Sequence, residues 1–151
     1  MTTSTDRIEK QVLLRAPRAR VWRAITDARE FGTWFQAKLE GDFREGATVR
    51  GRITSAGYEH VPLEITIERI EPERLLAYRW RPYAIDPNVD YSNEPTTLVE
   101  FRLEDAPGGT RVTIVESGFD QVPIARRAEA YRAHDGGWVE QAENLRKYVG
   151  S

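Results

Sequence analysis

The chain has 151 residues, of which 40% are hydrophobic and 30% charged, and its formal net charge is −2. This size and balance predict one globular domain over residues 1–151, not a disordered chain, and give no global positive field for nucleic acid. The absence of cysteine excludes disulfides, thiolate metal sites and thiol nucleophiles.

Residues 1–7 are polar and lack the apolar core of a secretory signal, and we expect them to be flexible. No later apolar run approaches the roughly 20 residues that cross a bilayer, so the sequence predicts a cytoplasmic protein without a membrane span. Residues 8–15 alternate between apolar and polar positions, which predicts a strand. Pro17 suits the first turn of a following helix, and Thr26 or Asp27 could cap a second short helix.

From residue 37 onward the apolar period changes to two, which predicts about six further strands. Turn-forming residues at 71–74 and 106–109 separate neighbouring strands. A polar loop over residues 82–95 is long enough to suggest a functional segment, and we expect it beside the mouth of any cavity. The alternating inward positions are Val49, Gly51 and Ile53; Val61, Leu63, Ile65 and Ile67; Leu76, Tyr78 and Trp80; Val99, Phe101 and Leu103; and Val112, Ile114 and Glu116.

The C-terminal segment returns to helical spacing. Residues 124–134 are rich in Ala, Arg and Glu, and residues 138–149 carry one apolar stripe. Gly136 and Gly137 lie between them, and each costs about 1 kcal/mol against alanine in a helix, so we expect a break or kink there. Helices at both ends of a strand meander predict an α+β fold, in which the last helix covers one face of an antiparallel sheet.

Several segments occur in an order that is typical of a known family. They are Arg15-Ala16-Pro17, Val21 to Asp27 and Trp34-Phe35; Ile70-Glu71-Pro72 and Leu75 to Trp80; Thr110 to Thr113 and Glu116 to Phe119; and Gly136-Gly137-Trp138, Leu145 and Tyr148. Together they resemble the activator of heat-shock-protein ATPase homologue-like (AHSA-type) proteins of the START/SRPBCC superfamily. The resemblance runs from about Ile8 to Val149, which is nearly the whole chain.

This resemblance implies the helix-grip fold, in which about seven antiparallel strands surround a long C-terminal helix and two short helices follow the first strand. It implies no single activity, because fold alone does not select a function. Members of the superfamily bind lipids, sterols, hormones or polyketides, a few are cyclases or hydrolases, and eukaryotic relatives stimulate the ATPase of a chaperone.

Aromatic residues on predicted inward faces are the strongest functional signal. In a helix-grip arrangement they would line a pocket for a flat or aliphatic ligand, although they also fit a plain core in which each ring buries a large area. We expect Trp22 and Trp138 to be structural. The predicted ligand-binding residues are Trp34, Phe35, Tyr78, Trp80, Phe101, Phe119 and Tyr131, together with Glu116.

Two charged residues, Lys10 and Glu116, share a strand face with apolar neighbours. A charge on a core-facing stripe must be paired, hydrated or neutralised, because burying it alone is costly. Either these residues are polar anchors that orient a ligand, or they are hydrated at strand ends. Their positions near strand ends favour the hydrated interpretation.

The two histidines, His60 and His134, lie on different predicted elements, which argues against a metal site. His60 has the chemistry of a general base, although a solvated loop position explains it more simply. Residues 86–97 carry oxygen ligands at alternate positions like a calcium loop. Tyr91 and Thr97 stand where an EF-hand needs glycine and a bidentate carboxylate, so we expect no calcium site.

The sequence therefore favours a non-enzymatic protein that binds a small hydrophobic molecule, a lipid or an aromatic compound, without cofactor or metal. Mixed charges on the outer sheet face, and the absence of phosphate-binding and nucleophile-elbow motifs, argue against nucleic acid and hydrolase chemistry. Two alternatives stay open. One is a cyclase- or hydrolase-like enzyme that uses Glu116 with His60, and the other is an interaction module with a chaperone partner. A homodimer is also open.

Overall fold

The computed structural model describes residues 6–82, 88–91 and 93–150. Most of the segment that was predicted to be flexible, residues 1–5, lies outside this description. Residues 6 and 7 belong to the fold: the first strand begins at Arg7, and Oδ1 of Asp6 accepts a hydrogen bond from the N–H of Asp120 at 2.9 Å.

The chain is an α+β domain in which two short helices follow the first strand and a long helix follows the last. The elements are β1 (Arg7–Leu14), α1 (Arg18–Thr26), α2 (Ala28–Phe35), β2 (Ala37–Glu40), β3 (Thr48–Ile53), β4 (Pro62–Glu71), β5 (Leu75–Trp80), β6 (Thr97–Ala106), β7 (Gly109–Ser117), a 3-10 helix (Phe119–Gln121) and α3 (Ile124–Val149). Within the described residues, seven strands form one antiparallel sheet in the order β1-β7-β6-β5-β4-β3-β2. The predicted α+β class and helix-grip topology are confirmed. No helix in the described part of the chain is long and apolar enough to cross a membrane.

The two short helices meet at a polar cap. Oδ1 of Asp27 accepts hydrogen bonds from the N–H groups of Arg29 and Glu30, both at 3.0 Å, so Asp27 and not Thr26 caps α2. The hydroxyl of Thr26 instead donates to the carbonyl oxygen of Trp22 at 2.6 Å, inside α1. This cap fixes the start of α2. At the other end of α2, Trp34 and Phe35 are buried in the core.

α3 is one uninterrupted helix of 26 residues, so the break expected at Gly136 and Gly137 is wrong, while the alternative of a kink there stays a prediction. A Cβ built on either glycine meets nothing within 4 Å, so close packing does not require glycine there. Ala130 before the pair and Trp138 and Leu145 after it are buried. Tertiary packing on both sides of the pair outweighs its low helix propensity, as it commonly does in proteins.

An aromatic cluster packs between the sheet and the helices. Phe31 of α2 contacts Trp34, Phe35 and Tyr78, with ring centroids 4.9, 5.0 and 6.3 Å away. The cluster continues through Trp80, whose ring lies 5.7 Å from that of Trp138 on α3 and is nearly parallel to it. This cluster connects α2, β5 and α3, which all contribute residues to the lining of the cavity described next.

Candidate functional site

A cavity of about 590 Å³ is bordered by β3, β4, β5, the end of α2 and the middle of α3. Its inner wall includes Phe35, Leu63 and Trp80, which are 8, 9 and 7% exposed. Its rim includes Tyr58 and Val89, which are 49 and 45% exposed. The cavity therefore runs from a solvent-exposed rim to a buried, apolar inner wall.

The loop between β5 and β6 contributes to this rim, as expected from its length. Val89 and Tyr91 line the cavity, and the guanidinium of Arg126 on α3 lies 4.9 Å from the centroid of the Tyr91 ring. Arg126 also donates hydrogen bonds to Oε1 of Glu94 at 2.9 Å and to the carbonyl oxygen of Pro82 at 2.7 Å. Arg126 thus fastens the described part of the loop to α3.

A buried carboxylate lies directly behind the inner wall. Oε2 of Glu116, a fully buried residue of β7, accepts hydrogen bonds from Nε1 of Trp80 at 2.8 Å and from Oγ1 of Thr97 at 2.5 Å. Oε1 accepts one from Nε1 of Trp138 at 2.8 Å and lies 2.6 Å from Nδ1 of His134. Because Trp80 and His134 also line the cavity, the wall and the carboxylate form one network.

The hydrogen-bond donors around Glu116 determine its protonation state. Burial raises the pKa of Glu116, but the electrostatic interaction and hydrogen bond with His134, with further hydrogen bonds from Thr97 and Trp80, outweigh burial and hold the pKa below its ordinary value of 4.5. Glu116 is therefore a carboxylate at neutral pH and can only accept. The proton in the short contact consequently belongs to Nδ1 of His134, an assignment that rests on the hydrogen-bond network.

The hydrated interpretation of Glu116 is wrong, because this residue is 0% exposed. Its charge is accommodated by four hydrogen-bond donors, those of Trp80, Thr97, His134 and Trp138. Lys10, the other charged residue on an apolar face, forms an ion pair with Asp135 of α3 at 2.9 Å, and its side chain is 27% exposed.

The pairing of Glu116 with His60 does not occur. His60 is exposed in the turn before β4, and among the described residues it is His134 that contacts the carboxylate. Sequence reasoning missed this contact because His134 and Glu116 belong to different elements. The spacing of His134 and Trp138 could have revealed it, since residues four apart share a helix face and both side chains can donate a hydrogen bond.

The predicted ligand-binding aromatics occupy two kinds of position. Phe35 and Trp80 line the cavity. Trp34, Tyr78 and Phe101 lie in the core cluster behind it and are 3, 0 and 0% exposed. A ligand contact by any of these residues stays a prediction.

Phe119 and Tyr131 lie at the β1 side of α3. Their rings meet edge to face at 5.2 Å, and the hydroxyl of Tyr131 donates to the carbonyl oxygen of Arg7 at 2.9 Å. They fasten α3 to the start of β1, and their predicted ligand contacts are also still predictions.

The hydroxyl of Tyr78 is a fully buried polar group. Among the described residues it has no hydrogen-bond partner. Burial, and then the negative charge of Glu116, raise the pKa of Tyr78 well above its ordinary value, so the phenol is neutral. An unpaired buried hydroxyl costs about 1–3 kcal/mol.

No group of three or more His, Asp or Glu side chains in the described part of the chain could hold a metal ion. The calcium-like loop at residues 86–97 lies partly outside the description, because residues 86, 87 and 92 are not described.

The seven-stranded sheet, the two helices after its first strand and the long C-terminal helix define a helix-grip domain. Residues 15–150 match the family described as "Activator of Hsp90 ATPase homolog 1-like protein", and the chain belongs to this family. The resemblance found in the sequence is thereby confirmed. No curated protein matches the sequence.

Solved structures of bacterial proteins share the fold. Protein MLL2253 from Mesorhizobium loti is 22% identical, with a TM-score of 0.74 over 95% of this chain and 96% of that one. Protein NE0264 from Nitrosomonas europaea is 16% identical, with a TM-score of 0.75 over 99% and 97%. Protein BH1534 from Bacillus halodurans is 23% identical, with a TM-score of 0.70 over 95% and 96%. At these identities the similarity establishes the fold alone.

Proposed function

We propose that the protein binds a small hydrophobic molecule in the cavity between the sheet and α3. The observation that supports this proposal is the cavity itself, whose volume of about 590 Å³ falls within the roughly 300–1,000 Å³ of small-molecule sites. Phe35, Leu63 and Trp80 present apolar surface to an occupant. Each Å² of apolar surface removed from water contributes about 25 cal/mol to binding before the entropic cost of association.

The state of Glu116 favours binding over catalysis by that carboxylate. A carboxylate has about four lone-pair positions, and both oxygens of Glu116 each face two donors. A nucleophile or general base needs a lone pair directed at its substrate. The carboxylate therefore contacts an occupant only through the residues it holds, Trp80 and His134.

Titration with N-phenyl-1-naphthylamine tests the proposal, because the emission of this neutral dye rises in apolar surroundings. We expect saturable binding to the wild-type protein. Ile53→Trp places a larger side chain in the cavity lining and should weaken binding by about tenfold or more, since it removes volume that the dye needs.

Leu13→Trp is the matched control. Leu13 lies on β1, is 48% exposed and does not line the cavity, so this variant should bind like the wild type. Non-saturable binding to the wild type, or equal affinity of the Ile53→Trp variant, contradicts the proposal. If the dye binds as expected, native mass spectrometry of freshly purified protein would identify the natural occupant by its mass.

A further inference from the structure

We infer that the molecule bound in this cavity carries an acidic hydroxyl, on a phenol or a carboxylic acid, that hydrogen-bonds to Nε2 of His134. The inference rests on the proposed function of the same cavity and adds the chemistry of its ligand. Two observations about one residue support it. His134 lines the cavity, and its Nδ1 lies 2.6 Å from the buried carboxylate of Glu116.

The contact with Glu116 determines which nitrogen of the His134 imidazole can accept a hydrogen bond from a ligand. Since Nδ1 donates to the carboxylate, the neutral ring carries its lone pair on Nε2 and accepts a hydrogen bond there. A carboxylate behind a histidine fixes both the tautomer and the orientation of the ring. It also stabilises the imidazolium that forms when Nε2 takes up a proton.

An acidic hydroxyl matches this arrangement in both of its protonation states. In one state the ligand O–H donates to the lone pair of Nε2. In the other the proton has moved from the ligand oxygen to Nε2, leaving an oxyanion that accepts from the imidazolium. The two states contain the same atoms and the same total charge, so no further reagent is required, and the second is a charge-assisted hydrogen bond.

The surroundings of the imidazole favour such a contact. The rings of Trp80 and Phe119 lie 5.5 and 5.9 Å from the ring of His134, and a hydrogen bond in apolar surroundings is stronger than one in water. A ligand hydroxyl would replace, not add to, any hydrogen bond that Nε2 makes in the ligand-free protein.

Two other polar side chains of the cavity lining, Gln141 and Trp80, already have hydrogen-bond partners. Nε2 of Gln141 donates to the carbonyl oxygen of Phe35 at 3.0 Å, while its Oε1 accepts from Asn144 at 3.2 Å. The indole N–H of Trp80 donates to Glu116. Of these three side chains, His134 is the one with a ring-nitrogen lone pair to offer.

Three naphthalene probes of similar size test the inference. They are 2-naphthol, 2-naphthoic acid and 2-methoxynaphthalene, and their dissociation constants can be measured by isothermal titration calorimetry. We expect at least one hydroxyl-bearing probe to bind the wild type about tenfold or more tightly than the methyl ether, which cannot donate. A preference for the naphthol identifies a phenol as the ligand group, and a preference for the acid identifies a carboxylate.

His134→Asn provides the decisive comparison. The asparagine amide can donate to Glu116 in place of Nδ1 but has no counterpart of Nε2. The preference should therefore fall to within about twofold in this variant. His60→Asn is the matched control, since His60 is exposed and outside the cavity lining, and it should keep the wild-type preference.

The outcomes separate this inference from the proposed function. If the ether binds the wild type as tightly as both other probes, or if the preference persists in His134→Asn, the inference is overturned while hydrophobic binding stands. If no naphthalene probe binds although N-phenyl-1-naphthylamine does, the inference is again overturned. If nothing binds, the proposed function fails as well.

Nitrogen NMR of the wild type gives a second measurement that does not depend on the folding of a variant. The sequence has two histidines, so the exposed His60 serves as an internal reference. The favoured probe should move the Nε2 resonance of His134 and leave that of His60 in place, and the ether should move neither. An unmoved His134 resonance at saturating probe contradicts the inference.

Discussion

Nδ1 of His134 and Oε1 of Glu116 lie 2.6 Å apart, which joins α3 to β7 at the centre of the fold. Trp138, one turn further along α3, donates to the same oxygen at 2.8 Å. The carboxylate therefore fastens the covering helix to the sheet and also supports the cavity wall. Its two roles can be separated experimentally, since stability and ligand preference are independent measurements.

Glu116→Ala should be strongly destabilising. It leaves the indole N–H groups of Trp80 and Trp138 buried without their acceptor. Breaking a buried charge network by removing one partner typically costs about 3–5 kcal/mol in the free energy of unfolding. Urea denaturation followed by circular dichroism measures this loss. Glu104→Ala, on an exposed position of the neighbouring strand β6, is the control and should change stability little; equal losses in both variants would contradict the account.

The stability of the wild type should fall in acid. The pKa of Glu116 lies below its ordinary value of 4.5 in the folded protein, so the unfolded chain binds this proton more readily. The contribution of Glu116 is then fully present above about pH 4.5 and is lost as the pH falls through the lower, folded-state pKa. Urea denaturation at a series of pH values should show a steeper decline for the wild type than for Glu116→Gln. Parallel curves would mean that Glu116 does not titrate as described.

Tyr78→Phe should leave the protein as stable as the wild type or raise the free energy of unfolding by about 1 kcal/mol. The substitution keeps the ring, which is fully buried in the aromatic cluster, and removes a hydroxyl that has no hydrogen-bond partner among the described residues. Tyr131→Phe is the comparison, because it removes a hydroxyl that donates to Arg7 and should reduce stability slightly. A loss at Tyr78 larger than that at Tyr131 would show that the buried hydroxyl is paired after all.

Gly136→Ala and Gly137→Ala should each raise the free energy of unfolding by about 0.5–1 kcal/mol. Both positions are inside α3, and an added Cβ meets nothing within 4 Å, so only the gain in helix propensity remains. Gly32→Ala is the opposing control. Its added Cβ would lie 2.3 Å from the carbonyl oxygen of Ala37, and this steric clash should destabilise α2. Thermal unfolding of the three variants provides the comparison. A loss at Gly136 or Gly137 would indicate that α3 needs its glycines for a reason other than packing.

The order of strands and helices was predictable from the sequence because its determinants are local, whereas the helix-grip topology was implied by the family resemblance. The alternation of residues 8–15, the helical spacing after Pro17 and the cap at Asp27 each act within a few residues. These local preferences agree with the final topology, as is expected for natural sequences.

The site was predictable only in part, because it depends on long-range packing. The inward position of Glu116 follows from the strand period, but its partners come from β5, β6 and α3. Which aromatic side chains border the cavity, such as Phe35, and which fill the core, such as Tyr78, depends on how α2 and α3 lie on the sheet. The break expected at Gly136 failed for the same reason, since buried neighbours on both sides decide the course of α3.

The neighbouring positions of β1 and β7 have a consequence for how the protein is made. Arg7 pairs with Ser117 and Leu14 with Thr110, so the strand that leaves the ribosome first is hydrogen-bonded to one that leaves late. Until β7 emerges, β1 has no partner along this edge, and closing such a long loop carries an entropic cost that local contacts do not offset. Nascent chains that end before β7 should therefore lack a completed sheet and expose apolar surface to chaperones or to one another.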